Sequence, residues 1–284
     1  MISRRKFLGV VVGSGALYGA SRVDALPFSG AARGDIDRAA LVDRHNPALR
    51  ALDPLSPLTV GNGEFAFTAD ITGLQTLPAE YENKMPLCTM SQWGWHTRPA
   101  PGLDPAKLRP SQYDSHGRSV GYHTDSTGQT ELFNWLRQNP HRLHLGQIGL
   151  CYVAAGAGEI KLADISEIEQ RLDLWSGILT SRFRLEGVPV TVRTAVHPTL
   201  DQLAVSIESR LVEQRRIGVR FAFPYGSPEM NAADWTQPAR HETKISISRE
   251  RSAQLRRVLD SDEYFVAVEW SGPFTLASTE PHAF

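Results

Sequence analysis

Apolar positions along this chain recur with period two far more often than with period three to four. Behind the turn residues Gly61-Asn62-Gly63, the positions Phe65, Phe67, Ala69 and Ile71 alternate with Glu64, Ala66, Thr68 and Asp70, which predicts a strand with one buried face. Leu179, Phe183 and Leu185 share one parity, Glu186-Gly187 turns the chain, and Val188, Val190, Val192 and Val196 share a parity on the way back. This is the pattern of a β-hairpin. Leu203/Val205/Ile207, Ile217/Val219/Phe221/Phe223, Ile245/Ile247 and Tyr264/Val266/Val268/Trp270 continue the series. Strands this frequent, with little helix between them, predict an all-β antiparallel sandwich with one or two short helices. The clear helical stretch holds Leu132, Phe133, Trp135 and Leu136 on one face. Ser126 and Gln129 stand at capping-box spacing before it, and Asn139-Pro140 ends it.

No repeat of fixed period and no linker divides the chain, so the pattern predicts one β-domain over residues 59–284. Residues 26–58 have no apolar period, and Asp53-Pro54-Leu55-Ser56-Pro57 marks them as an extended leader into the first strand. Residues 78–126 lose regular period among Pro, Gly, Asn, His and Trp. An irregular segment of that length in a compact domain implies a function or a packing partner.

The N-terminus carries an address. Ser3-Arg4-Arg5-Lys6-Phe7-Leu8-Gly9 has the pattern of a twin-arginine export signal, and a mostly apolar stretch runs from Phe7 to Ala20. That stretch is shorter than the roughly 20 residues a membrane span needs. Val23-Asp24-Ala25 offers small side chains to a signal peptidase, so residues 1–25 read as a signal peptide recognised by the twin-arginine translocase through Arg4 and Arg5, with a periplasmic or secreted destination. In an oxidising compartment Cys88 and Cys151 are either a disulfide or two separately buried thiols.

Thirty basic against thirty-one acidic residues, in a chain of 284, leave no basic footprint and exclude nucleic acid as a partner. Walker, G-x-S-x-G and H-E-x-x-H patterns are absent, and no cofactor is implied. Five of the nine histidines fall between His96 and His144. His141 and His144 sit three apart in loop and strand, where that offset sends side chains to opposite faces, so metal is not expected. Glu64, Asp70, Glu80 and Glu82 are carboxylates of the kind glycoside hydrolysis needs, but nothing in their spacing pairs two of them. Trp93, Trp95 and His96, with Gln92 and Glu64 nearby, form the most informative group. Flat aromatics on an irregular loop stack on sugar rings, or else wedge the loop onto a neighbouring domain.

Leu172-Asp173-Leu174-Trp175-Ser176-Gly177-Ile178-Leu179, then Phe183, Glu186-Gly187-Val188-Pro189-Val190, His197-Pro198 and Asp201-Gln202-Leu203-Ala204-Val205 resemble a stretch of the N-terminal β-supersandwich of six-hairpin glycosidases, such as glycoside hydrolase family 65. Val60 to Phe67 is similar to the first strand of that domain. The resemblance implies a galactose-mutarotase-like supersandwich that packs on an (α/α)6 domain, in cis or in trans, and acts with it on glycosidic bonds. In that family the catalytic carboxylates belong to the (α/α)6 domain, so no catalytic residue carries over to this chain. The expected function is an exported, non-catalytic sandwich module of a glycoside hydrolase in carbohydrate metabolism; the alternative is a free-standing periplasmic carbohydrate-binding protein. A third reading is sugar-anomer interconversion at the sandwich face with His123 or His144.

Overall fold

The computed structural model describes residues 7–13, 36–100, 102–153, 158–272 and 274–284. Arg4, Arg5 and the expected cleavage point after Ala25 lie outside them. The architecture is all-β and sandwich-like. A nine-stranded sheet runs, in spatial order, His241–Arg249, Ser252–Leu259, Asp262–Trp270, Phe7–Gly13, Gln202–Glu208, Val188–Val196, Ile178–Leu185, Ile165–Asp173 and Ala48–Leu49. Every pairing in it is antiparallel except the two made by Phe7–Gly13, which runs parallel to both neighbours.

The predicted hairpin forms where the alternation placed it, with Leu185 opposite Val188. Glu186 and Gly187 both adopt positive φ, 50° and 76°, the two-residue turn whose twist matches the strands it joins. Leu179, Phe183, Leu185, Val190 and Val192 are buried. Outward positions of the same strands carry Arg184 against Glu167 at 2.7 Å and Arg193 against Glu208. These exposed pairs add about 0–1 kcal/mol each, so stability comes from the buried face.

Facing that sheet are Leu58–Gly61, Phe65–Ala69 and Thr89–Ser91 in one small sheet and Gln147–Tyr152 paired with Ile217–Ala222 in another. Phe65, Phe67, Ala69, Leu74, Leu145, Ile148, Ile217 and Phe221 from this side complete one core with Leu203, Val205, Leu255, Val266 and Val268. A buried polar seam ties the layers through the turn after Ala69. The Asp70 carboxylate accepts the Thr72 N–H (2.7 Å), the Thr72 hydroxyl (2.6 Å) and the Leu77 N–H (2.6 Å). Gln170 Nε2 donates to Asp70 O and to Ser181 Oγ, and Thr194 Oγ1 donates to Gly73 O. Gly73 has φ +82°, and a Cβ there would lie 2.9 Å from Ser181 Oγ, so the turn seats on the sheet only as glycine. On the other side Gln75 N–H donates to Ile148 O, and Ile148 N–H to Gln75 Oε1. Burial raises the Asp70 carboxyl to about 6 despite the three bonds it accepts. Asp70, one of the sequence carboxylates, is thus a staple of the fold.

Four expectations change. Residues 26–58 are not extended throughout: Arg38–Asp43 is a short helix capped by Asp37, and Ala48–Leu49 pairs at the edge of the large sheet. Residues 78–126 are not one loop, because Thr89–Ser91 completes a sheet and Ser111–Ser115 pairs with Arg118–Tyr122. The helix is Thr130–Gln138, but its N-cap is Gln129 and makes no side-chain cap bond. Gln129 instead bonds the Arg109 and Asp125 backbone, which outcompetes the capping box. Ile245 and Ile247 do not share a face as simple alternation implies, since the register shifts between them and leaves Ile247 exposed. Among the described residues no helix is long and apolar enough to cross a membrane.

Candidate functional site

The segment Ser91 to His96 divides its side chains between core and surface. Ser91 Oγ and Trp93 Nε1 both donate to Asp201 Oδ2, at 2.6 and 2.5 Å, and the Trp93 ring packs at 5.8 Å from that of Tyr264. Trp93 is therefore docked into the domain it belongs to. Trp95 points the other way and is 42% exposed. Its Nε1 donates to Gln92 O at 2.9 Å, and the Arg142 guanidinium lies 4.1 Å from the ring centre. Arg142 Nη1 also donates to Ser91 O and Gln92 O. One ring face of Trp95 thus rests on a cation that the loop's own carbonyls hold in place.

Gln92 and Glu64 join this surface. Gln92 N–H donates to Glu64 O at 2.8 Å, and both side chains are exposed. Underneath, Asn62 fixes the turn: its Oδ1 accepts the Glu64 and Phe65 N–H groups, while its Nδ2 donates to His197 O and Leu200 O. Glu64, Gln92, Trp95 and Arg142, linked through the Gln92 backbone, then present an acid, an amide, an indole and a guanidinium among the exposed side chains of this segment. The framework beneath them is tied by the hydrogen bonds of Asn62, Asp201 and Arg142.

His96, the fifth candidate, does not join them. It is fully buried, and its Nδ1 stands 2.9 Å from Asp262 Oδ2. Nε2 lies 3.2 Å from Asp260 Oδ2 but off the line of a hydrogen bond, and so lacks a hydrogen-bonding partner. Asp260 in turn accepts the Tyr225 hydroxyl at 2.5 Å. His141 pairs with His96 across two short strands, and their rings meet edge to face at 5.2 Å. His141 Nδ1 bonds Gln138 O, which places the proton there and leaves Nε2 as a buried lone pair. Burial lowers the His141 imidazole to about 4. Gly226 closes the group from above: a Cβ there would stand 2.5 Å from His96 Cδ2 and 3.1 Å from His141 Nε2. With the His96 side chain shut from solvent, this constellation fastens the Trp95–His96 strand to the turn at Asp260. It offers no surface to a substrate.

The other candidates scatter. His144 is buried with Nε2 on Leu87 O and Nδ1 accepting the Gly146 N–H, and burial lowers it to about 4. Its partners are complete, and it lies apart from any open surface. His123 lines a shallow groove with Pro105, Leu108, Phe133, Leu136 and Arg137. Glu80, on the short helix Pro78–Tyr81, and Glu82, its C-cap, are exposed elsewhere. Cys88 and Cys151 are free thiols; burial raises Cys88 to about 11, which makes it a poor nucleophile. Among the described residues no three His, Cys, Asp or Glu side chains converge to hold a metal.

Sequence reasoning passed over Arg142, Asp201, Asp260 and Asp262. Each lies 45 or more positions from the loop it supports, and no local spacing announces such a partner. The acids flanking Ser261 between two alternating strands were the one available signal, since Asp favours a tight turn. Comparison with models of known protein families and with curated proteins finds no match to this chain.

Proposed function

We propose that this chain is a carbohydrate-recognition module of the sandwich kind that accompanies six-hairpin glycosidases, exported by the twin-arginine route and not a catalyst by itself. The observation that carries the recognition reading is Trp95, a braced and exposed indole beside Gln92, Glu64 and Arg142. A sugar ring stacks its C–H face on an indole, while an amide, a carboxylate and a guanidinium bond its hydroxyls. Because the platform is held by backbone and Asp201 contacts, it loses little conformational freedom on binding. Cleavage of a glycosidic bond is assigned in this reading to an (α/α)6 domain in cis or in trans.

Calorimetric titration of the full chain with a panel of neutral and acidic oligosaccharides tests it. Saturable binding is expected, weakened about tenfold or more by Trp95→Ala at unchanged unfolding temperature. Wild-type protein that binds none of the panel, or binding indifferent to Trp95→Ala, overturns it.

A second reading rests on a different feature. Leu174 and Trp175 are exposed on a turn locked by Asp173, which accepts the Trp175 N–H and the Ser176 hydroxyl, and by Asn46, which accepts the Leu174 N–H. An apolar pair held outward this firmly suits a contact with the second domain.

A further inference from the structure

Among the described residues, Phe7–Gly13 is the strand that links two parts of the large sheet to each other. Gly9 to Gly13 pairs in parallel with Gln202 to Ser206, and Phe7 to Val12 pairs in parallel with Phe265 to Trp270. The strands on either side therefore run in the same direction about 10 Å apart, two strand spacings. Their outer edges are already taken by Val188–Val196 and by Ser252–Leu259. Removing the heptad would leave two facing rows of unpaired N–H and C=O groups in the middle of the sheet. The floor between them would be core, since Leu203, Val205, Ile207, Tyr264, Val266 and Val268 are all buried.

The occupant is the seven-residue strand Phe7–Gly13. It carries no charge and no proline. Its register sets Leu8 opposite Val266, Val10 opposite Leu203 and Val268, and Val12 opposite Val205 and Trp270. The backbone supplies most of the recognition, as in strand addition to a sheet edge, here from both sides at once.

We propose that the channel between Gln202–Glu208 and Asp262–Trp270 is a strand-acceptor site for an extended, uncharged apolar heptapeptide running parallel to both, which Phe7–Gly13 fills and which a like segment of another polypeptide can take in its place. The channel strands do not include Glu64, Gln92, Trp95 or Arg142, but Asp201, Tyr264 and Asp262, which hold the loop beneath those side chains, border or belong to these strands.

The experiment uses the full chain with a specific protease site inserted after Ala25, cut after folding. The leader fragment is expected to co-elute with the remainder in gel filtration and to be exchanged for a fluorescent synthetic peptide of sequence Phe7–Gly13. The same peptide with Val11→Pro is expected to bind about tenfold more weakly or worse, because proline removes a ladder donor. Amides of Gln202–Glu208 and Asp262–Trp270 should lose hydrogen-exchange protection when the fragment leaves and regain it with the peptide. Should the cut protein precipitate on losing its fragment, cutting in excess peptide must keep it soluble. Equal binding of the proline peptide, a fragment that stays but does not exchange, precipitation despite the peptide, or loss of the fragment with no change in unfolding temperature or protection each overturn the proposal.

Discussion

Two hairpins in this molecule are built alike and live differently. Ile178–Leu185 with Val188–Val196, and Ser111–Ser115 with Arg118–Tyr122, are both antiparallel ladders closed by two residues at positive φ, Glu186-Gly187 at 50° and 76° and His116-Gly117 at 55° and 78°. The first alternates buried and outward residues and forms the middle of the core. The second is exposed or half-exposed along both strands. It is held by its ladder, by the Tyr113–Tyr122 ring pair at 6.0 Å and by a 2.6 Å bond between the Tyr113 and Thr124 hydroxyls. Turn chemistry and backbone pairing thus specify a hairpin's shape. Only apolar alternation specifies where it is buried, and with it the energy it brings.

That contrast can be broken from its strong side first. Phe183→Ala should destabilise the domain by about 3–5 kcal/mol, measured by urea unfolding, because the cavity opens in a packed core. Acid should act on the core next. His141 and His144 are held neutral by burial at about 4, below the ordinary 6.5 of the unfolded chain, which therefore takes up the proton first as pH falls. Their contribution is complete above pH 6.5 and drains away between 6.5 and 4, on the order of 3 kcal/mol for each. Asp70 works oppositely. Raised to about 6 from 3.8, it favours the folded state increasingly as pH falls through 6 toward 3.8, and offsets part of the loss. Unfolding free energy should still fall between pH 6.5 and 4.5, with a visibly shallower slope in His144→Gln; an unchanged slope would remove His144 from the account.

Gly226→Ala sharpens the comparison at the fastening between core and loop. Its methyl must displace His96 or His141, at a cost of about 1–3 kcal/mol in thermal unfolding, although the backbone φ there is not of the left-handed kind. Smallest is Tyr113→Ala, which removes one cross-strand pair on an exposed ladder and should change stability by about 0.2–1 kcal/mol. A larger effect would mean that the Ser111–Tyr122 hairpin packs on something other than itself.

Much of both layers of the sandwich was legible along the chain. Alternation from Phe65 to Ala69, from Leu179 to Val192 and from Tyr264 to Val268 corresponds to strands whose apolar parity is buried or half-buried. It is legible because a strand's two faces are encoded in neighbouring residues. The surface group was legible only in part. Gln92, Glu64 and Trp95 meet, but Trp93 and His96 belong to the interior, and nothing in Gln92-Trp93-Gly94-Trp95-His96 says which aromatic faces which way.

By itself the sequence determined the class of fold, the hairpin turn at Glu186-Gly187 and the parity of most core strands, because these depend on contacts within a few residues. The tertiary structure alone decided that Asp201 draws Trp93 inward and that Arg142 braces Trp95 outward. It decided too that Asp262 and Gly226 lock His96 away, and that Phe7–Gly13 closes the sheet. Those outcomes depend on groups brought together from 47 to more than 250 positions apart. A charge or a strand edge finds such a partner only after the core has set the distance between them.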